Sequence, residues 1–301
     1  VIILITVPEL RSQLALTPLF NPQTQTQKPI TFAKAVRLAG PAVVNLYSSE
    51  ISQTPRYGQY TRKSTRLGSG VIMDTKGYIL SNFHVVQDAD VIEVFLQDGQ
   101  RYAAELIGYD IYTDLAVLKV NAKNLPVIPQ QIDLESYAGD VVLAIGNPFN
   151  LGQTVTQGIV SATGRSGLSS TNYSEFLQMD AAINAGNSGG ALVNSNGVLI
   201  GINSFKFTLL NPQLNSQGIF FAVPYELAYK VMRKIIENGR VIRGYLGISS
   251  TRYSLDVKGF YIDNVTPESP ADLAGLVFGD IVIQIADWPI HSIEQALDIV
   301  A

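Results

Sequence analysis

The segment Asn184-Ala-Gly-Asn-Ser-Gly-Gly-Ala191 sets one serine among three glycines. A serine hydroxyl is a poor nucleophile near neutral pH and needs a neighbouring base to take its proton. The carbonyl it attacks becomes an oxyanion, which needs preorganised hydrogen-bond donors. Backbone N–H groups supply such donors in a tight loop whose small residues reach unusual dihedrals. Gly186, Gly189 and Gly190 around Ser188 meet that requirement, and the N–H groups of Gly186 and Ser188 are the expected oxyanion hole. Taken alone, such a loop can also be an ordinary turn between strands, since short motifs recur by chance.

Two further segments supply what the serine lacks. Ser81-Asn-Phe-His-Val-Val86 places His84 just after a predicted strand, Gly77–Leu80. In Tyr112-Thr-Asp-Leu-Ala-Val-Leu118, Asp114 opens an apolar run. A carboxylate buried there must be paired or hydrogen-bonded. It could simply cap a turn. As a partner of His84 it would accept from one imidazole nitrogen, fix the tautomer and leave the other nitrogen for Ser188. The chain order His, Asp, Ser is that of the chymotrypsin-type enzymes and differs from the subtilisin and α/β-hydrolase orders. In that architecture two barrels flank the cleft, with the histidine and aspartate on the first and the serine on the second.

The rest of the composition narrows the chemistry. The chain has 301 residues, 47% of them hydrophobic, ample for a buried core and long enough for two domains. Charged residues are 15% and the balance is 21 − 25 = −4, with no basic run, so no nucleic-acid partner is expected. The absence of cysteine excludes disulfides, thiolate catalysis and cysteine-ligated metals. With His84 and His291 the only histidines, a histidine-rich metal site is not expected. His291 has no partner motif and reads as an exposed structural residue.

These residues must be positioned by a β-rich body. From Pro41 to Val223 the chain reads as short strands: Val43–Tyr47, Gly70–Met73, Val91–Leu96, Leu115–Val120, Val141–Ile145, Thr156–Ala162, Ala191–Val193 and Val198–Asn203. Turn residues bound them, and many short strands with few helices imply antiparallel barrels or sandwiches. Phe32, Ala35, Val36 and Ala39 form one face of a helix that Gly40-Pro41 stops. Leu227, Ala228, Val231, Met232, Ile235 and Ile236 form the face of another, with Pro224 in its first turn and Gly239 at its end. Gly239–Gly244 is a hinge candidate. Ahead of the body, residues 1–7 form an apolar run too short for the roughly 20 residues a bilayer needs. Ended by Pro8, Glu9 and Arg11, the run reads as the trimmed end of an export signal or anchor. Residues 21–29 have the composition of a spacer.

Leu67-Gly-Ser-Gly-Val-Ile-Met73, Ser81–Val85, Thr113–Leu118, Gly146-Asn-Pro-Phe149 and Gly186-Asn-Ser-Gly-Gly190 together resemble the HtrA (Deg) serine proteases. Val141–Pro148, Asn150–Thr154 and Arg240–Tyr245 add likeness to the membrane-anchored, stress-sensing branch of that family. The resemblance covers roughly residues 30–301. It implies a mainly β fold: a trypsin-like double six-stranded antiparallel β-barrel over residues 30–240, followed by a PDZ domain over 241–301. Residues 1–29 would be an anchor remnant and linker. It further implies homotrimers, periplasmic location with an inner-membrane anchor, and no metal or cofactor. It also implies cleavage of an anti-sigma factor when the PDZ domain binds the carboxyl termini of misfolded outer-membrane proteins.

Tyr245, Leu246, Gly247 and Ile248 match the PDZ carboxylate-binding loop and strand, where backbone N–H groups capture a terminal carboxylate and the peptide adds as a strand. Ser269–Leu276 and Gly279–Ile281 match the module's short helix and next strand. Ser292–Ala301 looks like the start of the groove helix, so the module is expected to be incomplete. The family links Phe149, Arg165 and Gln178 to the relay that orders the oxyanion loop. Two departures stand out: Ala185 replaces a frequent histidine, and Phe149 replaces a frequent tyrosine, which removes one possible hydrogen bond. Ile183, Ile202 and Ser204 are the expected wall of a specificity pocket for small or medium apolar side chains. A catalytically idle chaperone or C-terminal-peptide sensor is the main alternative. A lipase or esterase is disfavoured because Gly-Asn-Ser-Gly-Gly lacks the nucleophile-elbow spacing.

Overall fold

The computed structural model describes residues 31–54, 60–147, 152–165, 176–204, 218–242, 244–250, 259–290, 296, 299 and 300. Its elements all lie within Ala33–Ala301. The apolar start, the spacer, Phe149 and His291 lie outside the described residues, as does most of Ser292–Ala301.

Helix α1, Ala33–Ala39, buries Ala35 and Ala39. Gly40-Pro41 does not stop it outright: the chain tightens into a 3-10 turn over Gly40–Ala42, which proline tolerates because the first helical positions need no N–H. Six strands then close a barrel: β1 Val43–Thr54, β2 Tyr60–Ile72, β3 Tyr78–Asn82, β4 Val91–Phe95, β5 Arg101–Asp110 and β6 Leu115–Val120, in the order β1-β2-β3-β6-β5-β4. A second set does the same: β7 Val141–Gly146, β8 Thr154–Arg165, β9 Phe176–Met179, β10 Ala191–Asn194, β11 Leu199–Ser204 and β12 Phe220–Pro224, in the order β7-β8-β9-β12-β11-β10. The two orders are the same permutation, and closure leaves neither sheet with a free edge.

Strands buried on both faces carry each core. Leu115, Ala116, Val117, Leu118 and Val120 of β6 are buried in the first barrel. Val142, Ala144, Val160, Leu177, Met179, Leu192 and Ala222 cluster in the second. A four-residue helix α2, Phe83–Val86, follows β3. Helix α3, Tyr225–Asn238, buries Ala228, Val231, Met232 and Ile235 and ends at Gly239, whose left-handed φ of 74° and N–H to Ile235 cap it. Pro224 sits one position ahead of the helix rather than inside its first turn, because it is also the last residue of β12. Helix α3 packs on β5, β6, β11 and β12, so it braces both barrels.

Short pairs build the C-terminal module. Its elements are β13 Ile248–Ser249, β14 Phe260–Tyr261, β15 Asn264–Val265, α4 Pro270–Leu273, β16 Ile281–Val282, β17 Gln284–Ile285 and β18 Trp288–Pro289. β13 pairs with β15, β14 with β16, and β17 with β18. Ser269 caps α4 by accepting the Asp272 N–H, and Phe260, Ile290 and Ala296 form the core.

Candidate active site

Histidine and aspartate meet between strands of the first barrel. β3 runs to Asn82, beyond its expected end at Leu80, and His84 rides on α2 rather than directly on the strand end. Asp114 lies one residue before β6 and is fully buried, with a left-handed φ of 55°. Asparagine and aspartate enter that region more easily than other non-glycine residues. Asp110 holds the turn before it, accepting from the Thr113 N–H at 3.2 Å and the Thr113 hydroxyl at 2.6 Å. The Asp114 carbonyl accepts from the Phe83 N–H at 2.8 Å and from the Asn82 amide at 3.0 Å. Its carboxylate engages His84 twice: Oδ1 accepts the backbone N–H at 3.0 Å, and Oδ2 lies 2.6 Å from ring Nδ1. The imidazole is 30% exposed against 1% for the carboxylate. Nδ1 is therefore committed inside the protein, and Nε2 remains for a further partner.

Ser188 belongs to the second barrel, three residues ahead of β10, and is 4% exposed. Its carbonyl accepts from the Ser69 N–H of β2 at 2.9 Å, while the Ser69 carbonyl accepts from the Ser81 hydroxyl of β3 at 2.8 Å. Ser69 thus ties the serine loop to the strand that leads to His84. The fit leaves no room for a side chain at Gly189, where a Cβ would lie 2.2 Å from the Ser69 carbonyl oxygen and 2.4 Å from Ser81 Oγ, at a φ of 81°. Gly186 adopts a φ of 102°, a region closed to ordinary side chains. The Gly189 N–H donates to Asn203 of β11 and the Asn203 N–H to Gly190, both at 2.9 Å.

The other expected site residues are placed as follows. Ile183 is buried in the core cluster of the second barrel. Ile202 and Ser204 are buried on β11, opposite Val223 and Phe221 of β12. Gln178 of β9 pairs with Ala162 and Phe221, and Arg165 ends β8 opposite Phe176. Arg165 and Gln178 therefore share one ribbon, although the Arg165 side chain lies outside the described residues. In the C-terminal module Tyr245 is 63% exposed. Strand β13 takes up only Ile248 and Ser249, so Tyr245, Leu246 and Gly247 form the loop before it. The Gly247 carbonyl accepts from the Thr266 N–H at 2.7 Å and the Leu246 carbonyl from the Ala271 N–H at 2.9 Å. A cavity of about 300 Å³, lined by Leu134, Tyr137, Leu177, Ile200 and Tyr225, includes none of these residues. Among the described residues no acidic, histidine or cysteine cluster could hold a metal. The roles of Ser69, Ser81 and Asn82 escaped sequence reading. Their motifs contribute to the resemblance, but nothing in a β-strand serine marks which backbone groups it will meet.

A buried carboxylate holding an imidazole on one barrel, with a glycine-framed serine on a second barrel tied to the first through Ser69, is the arrangement of a trypsin-like serine peptidase. The model of the trypsin-like peptidase domain matches residues 68–202, and that of the PDZ domain matches residues 261–301. The chain is 48% identical over 312 residues to the serine endoprotease DegS of Escherichia coli K12, covering 100% of this chain and 86% of that protein. It is 44% identical over 246 residues to the periplasmic serine endoprotease DegP of the same organism, covering 78% of this chain and 51% of that protein. The solved structure of the HtrA-type protease AlgW with a tripeptide superposes with a TM-score of 0.77 at 43% identity, over 90% of this chain and 88% of that one. The chain belongs to the HtrA family of serine endoproteases.

Proposed function

We propose that peptide-bond hydrolysis is carried out by Ser188 as nucleophile, His84 as base and then acid, and Asp114 as the group that orients His84. The observation that carries this reading is the 2.6 Å contact between His84 Nδ1 and the buried Asp114 Oδ2. Ser188 Oγ adds to the scissile carbonyl carbon as its proton passes to His84 Nε2. The new oxyanion is held by the N–H groups of Gly186 and Ser188. Collapse breaks the C–N bond, and the leaving amine takes the proton from His84. Water then repeats the sequence on the acyl-enzyme and releases the acid. Ile183, Ile202 and Ser204 shape the specificity pocket, and Arg165 and Gln178 act with Phe149 on the order of the oxyanion loop.

In this reading residues 30–240 are the protease domain, 241–301 the PDZ domain, and 1–29 a linker on the membrane side. The protein works as a homotrimer in the periplasm, tied to the inner membrane, in the envelope stress response. It cleaves an anti-sigma factor when the loop Tyr245-Leu246-Gly247 and strand residue Ile248 capture the carboxyl termini of misfolded outer-membrane proteins. The likeness to DegS and DegP supports this, as does the relative AlgW solved with a tripeptide. The test is cleavage of an unfolded protein substrate by the full-length protein, with and without peptides ending in a free carboxylate. Stimulation that is lost when the peptide is amidated is expected. Peptide binding without any cleavage would favour a catalytically idle sensor instead.

A further inference from the structure

The hydroxyl of Ser69 is buried on β2 and lies between two segments of the second barrel. It accepts the backbone N–H of Asn147 at 3.0 Å and donates to the carbonyl of Gly186 at 2.7 Å. A hydroxyl has one proton, so accepting from Asn147 directs that proton onto Gly186. The same peptide unit is held at its other end, where the Asn187 N–H donates to the Asn184 carbonyl at 3.0 Å. This doubly held Gly186–Asn187 peptide lies between the two N–H groups assigned to the oxyanion hole, those of Gly186 and Ser188. The two donor peptides hang from the Cα atoms at its ends, so displacing this unit would move both donors. Asn147 in turn accepts the Gly152 N–H on its side-chain oxygen at 2.9 Å, so the chain of bonds runs from Gly152 through Asn147 and Ser69 to the oxyanion glycine.

We infer that Ser69 is a positioning residue of the oxyanion hole: its hydroxyl fixes in place the Gly186–Asn187 peptide from which both donors hang, and links it to Asn147 and Gly152. The inference rests on the serine-protease reading and deepens it. It assigns the first barrel a part in the oxyanion hole that the serine loop alone does not fill.

The test is Ser69→Ala in the full chain, with kcat on a chromogenic peptide anilide expressed per active site titrated by a fluorophosphonate. Expected is a loss on the order of 10-fold to 100-fold in kcat with KM within about twofold, because the missing interaction matters only as charge develops. Affinity for a peptide boronate that mimics the tetrahedral adduct should fall in parallel. A structural role alone would lower the titratable fraction and leave kcat per site unchanged, and that result overturns the inference. If Ser69→Ala does not fold, Ser69→Thr and Ser69→Val decide, since they share a shape and differ in the hydroxyl: equal kcat per site overturns the inference, and a Thr variant at least about 10-fold faster supports it. A wild-type chain that no fluorophosphonate labels sinks the protease reading itself. A labelled wild type with an unimpaired Ser69→Ala sinks only this inference.

Discussion

Asp114→Asn is the sharpest test of how the buried pair works. The carboxylate offers one oxygen to the His84 backbone N–H at 3.0 Å and the other to ring Nδ1 at 2.6 Å. An amide has only one acceptor oxygen. If that oxygen stays on the backbone N–H, the NH2 group faces Nδ1, which must then present its lone pair. The ring proton moves to Nε2, and no lone pair remains to accept the proton of Ser188. The opposite orientation keeps the tautomer but sets two donors against each other in a buried site, at a cost of about 1–3 kcal/mol. At about 1.4 kcal/mol per decade, the productive orientation is thinned by roughly 10- to 100-fold. The imidazolium that forms during reaction also loses its carboxylate partner, and the combined loss in serine proteases of this type is on the order of 10⁴ in kcat. The assay is anilide hydrolysis per folded protein, with thermal melting alongside to show that the variant remains folded. A fall of less than about 10-fold would refute the reasoning from tautomer and pairing.

Other expectations concern the brace across the barrels. Tyr225 of α3 donates to the Gln130 side-chain oxygen at 2.7 Å, and the Gln130 amide donates to the Met73 carbonyl at 2.7 Å. Tyr225→Phe removes the first bond and should cost about 1 kcal/mol, a drop of about 2–4 °C in Tm for a body of this size, with activity retained. Burial, and then the neighbouring Tyr229, push the Tyr225 phenol from 10.0 up to about 12. The raised value means that its contribution to stability is complete below pH 10 and is lost as pH rises through about 12. Denaturant melts of the wild type from pH 9 to 12 should therefore lose stability more steeply than those of Tyr225→Phe, and parallel curves would contradict this.

The parts legible in the sequence were those where residue type alone carries meaning. Two histidines in the whole chain made His84 conspicuous, and the apolar run Leu115–Val120 became β6 at the expected bounds because both its faces are buried. β5 escaped notice because Arg101–Asp110 is charged and only half-buried, with a bulge between Leu106 and Gly108 that breaks its alternation. β9 is four residues long with Gln178 inside it, too short for a period to show. β12 was hidden because Pro224 signals a helix start and closes the strand as well. The shared strand order of the two barrels leaves no repeat in the sequence, since closure depends on register and not on residue identity. Ser69 and Gly186 are 117 residues apart, and only the folded chain brings them together.

The most direct test of the central claim is covalent labelling of the full-length protein by a fluorophosphonate, with the adduct located by peptide mass spectrometry. The account predicts a single adduct on Ser188, formed at least 10³-fold more slowly in His84→Ala on the scale of removing a triad member. An adduct on another serine, or equal labelling of the His84 variant, would contradict it.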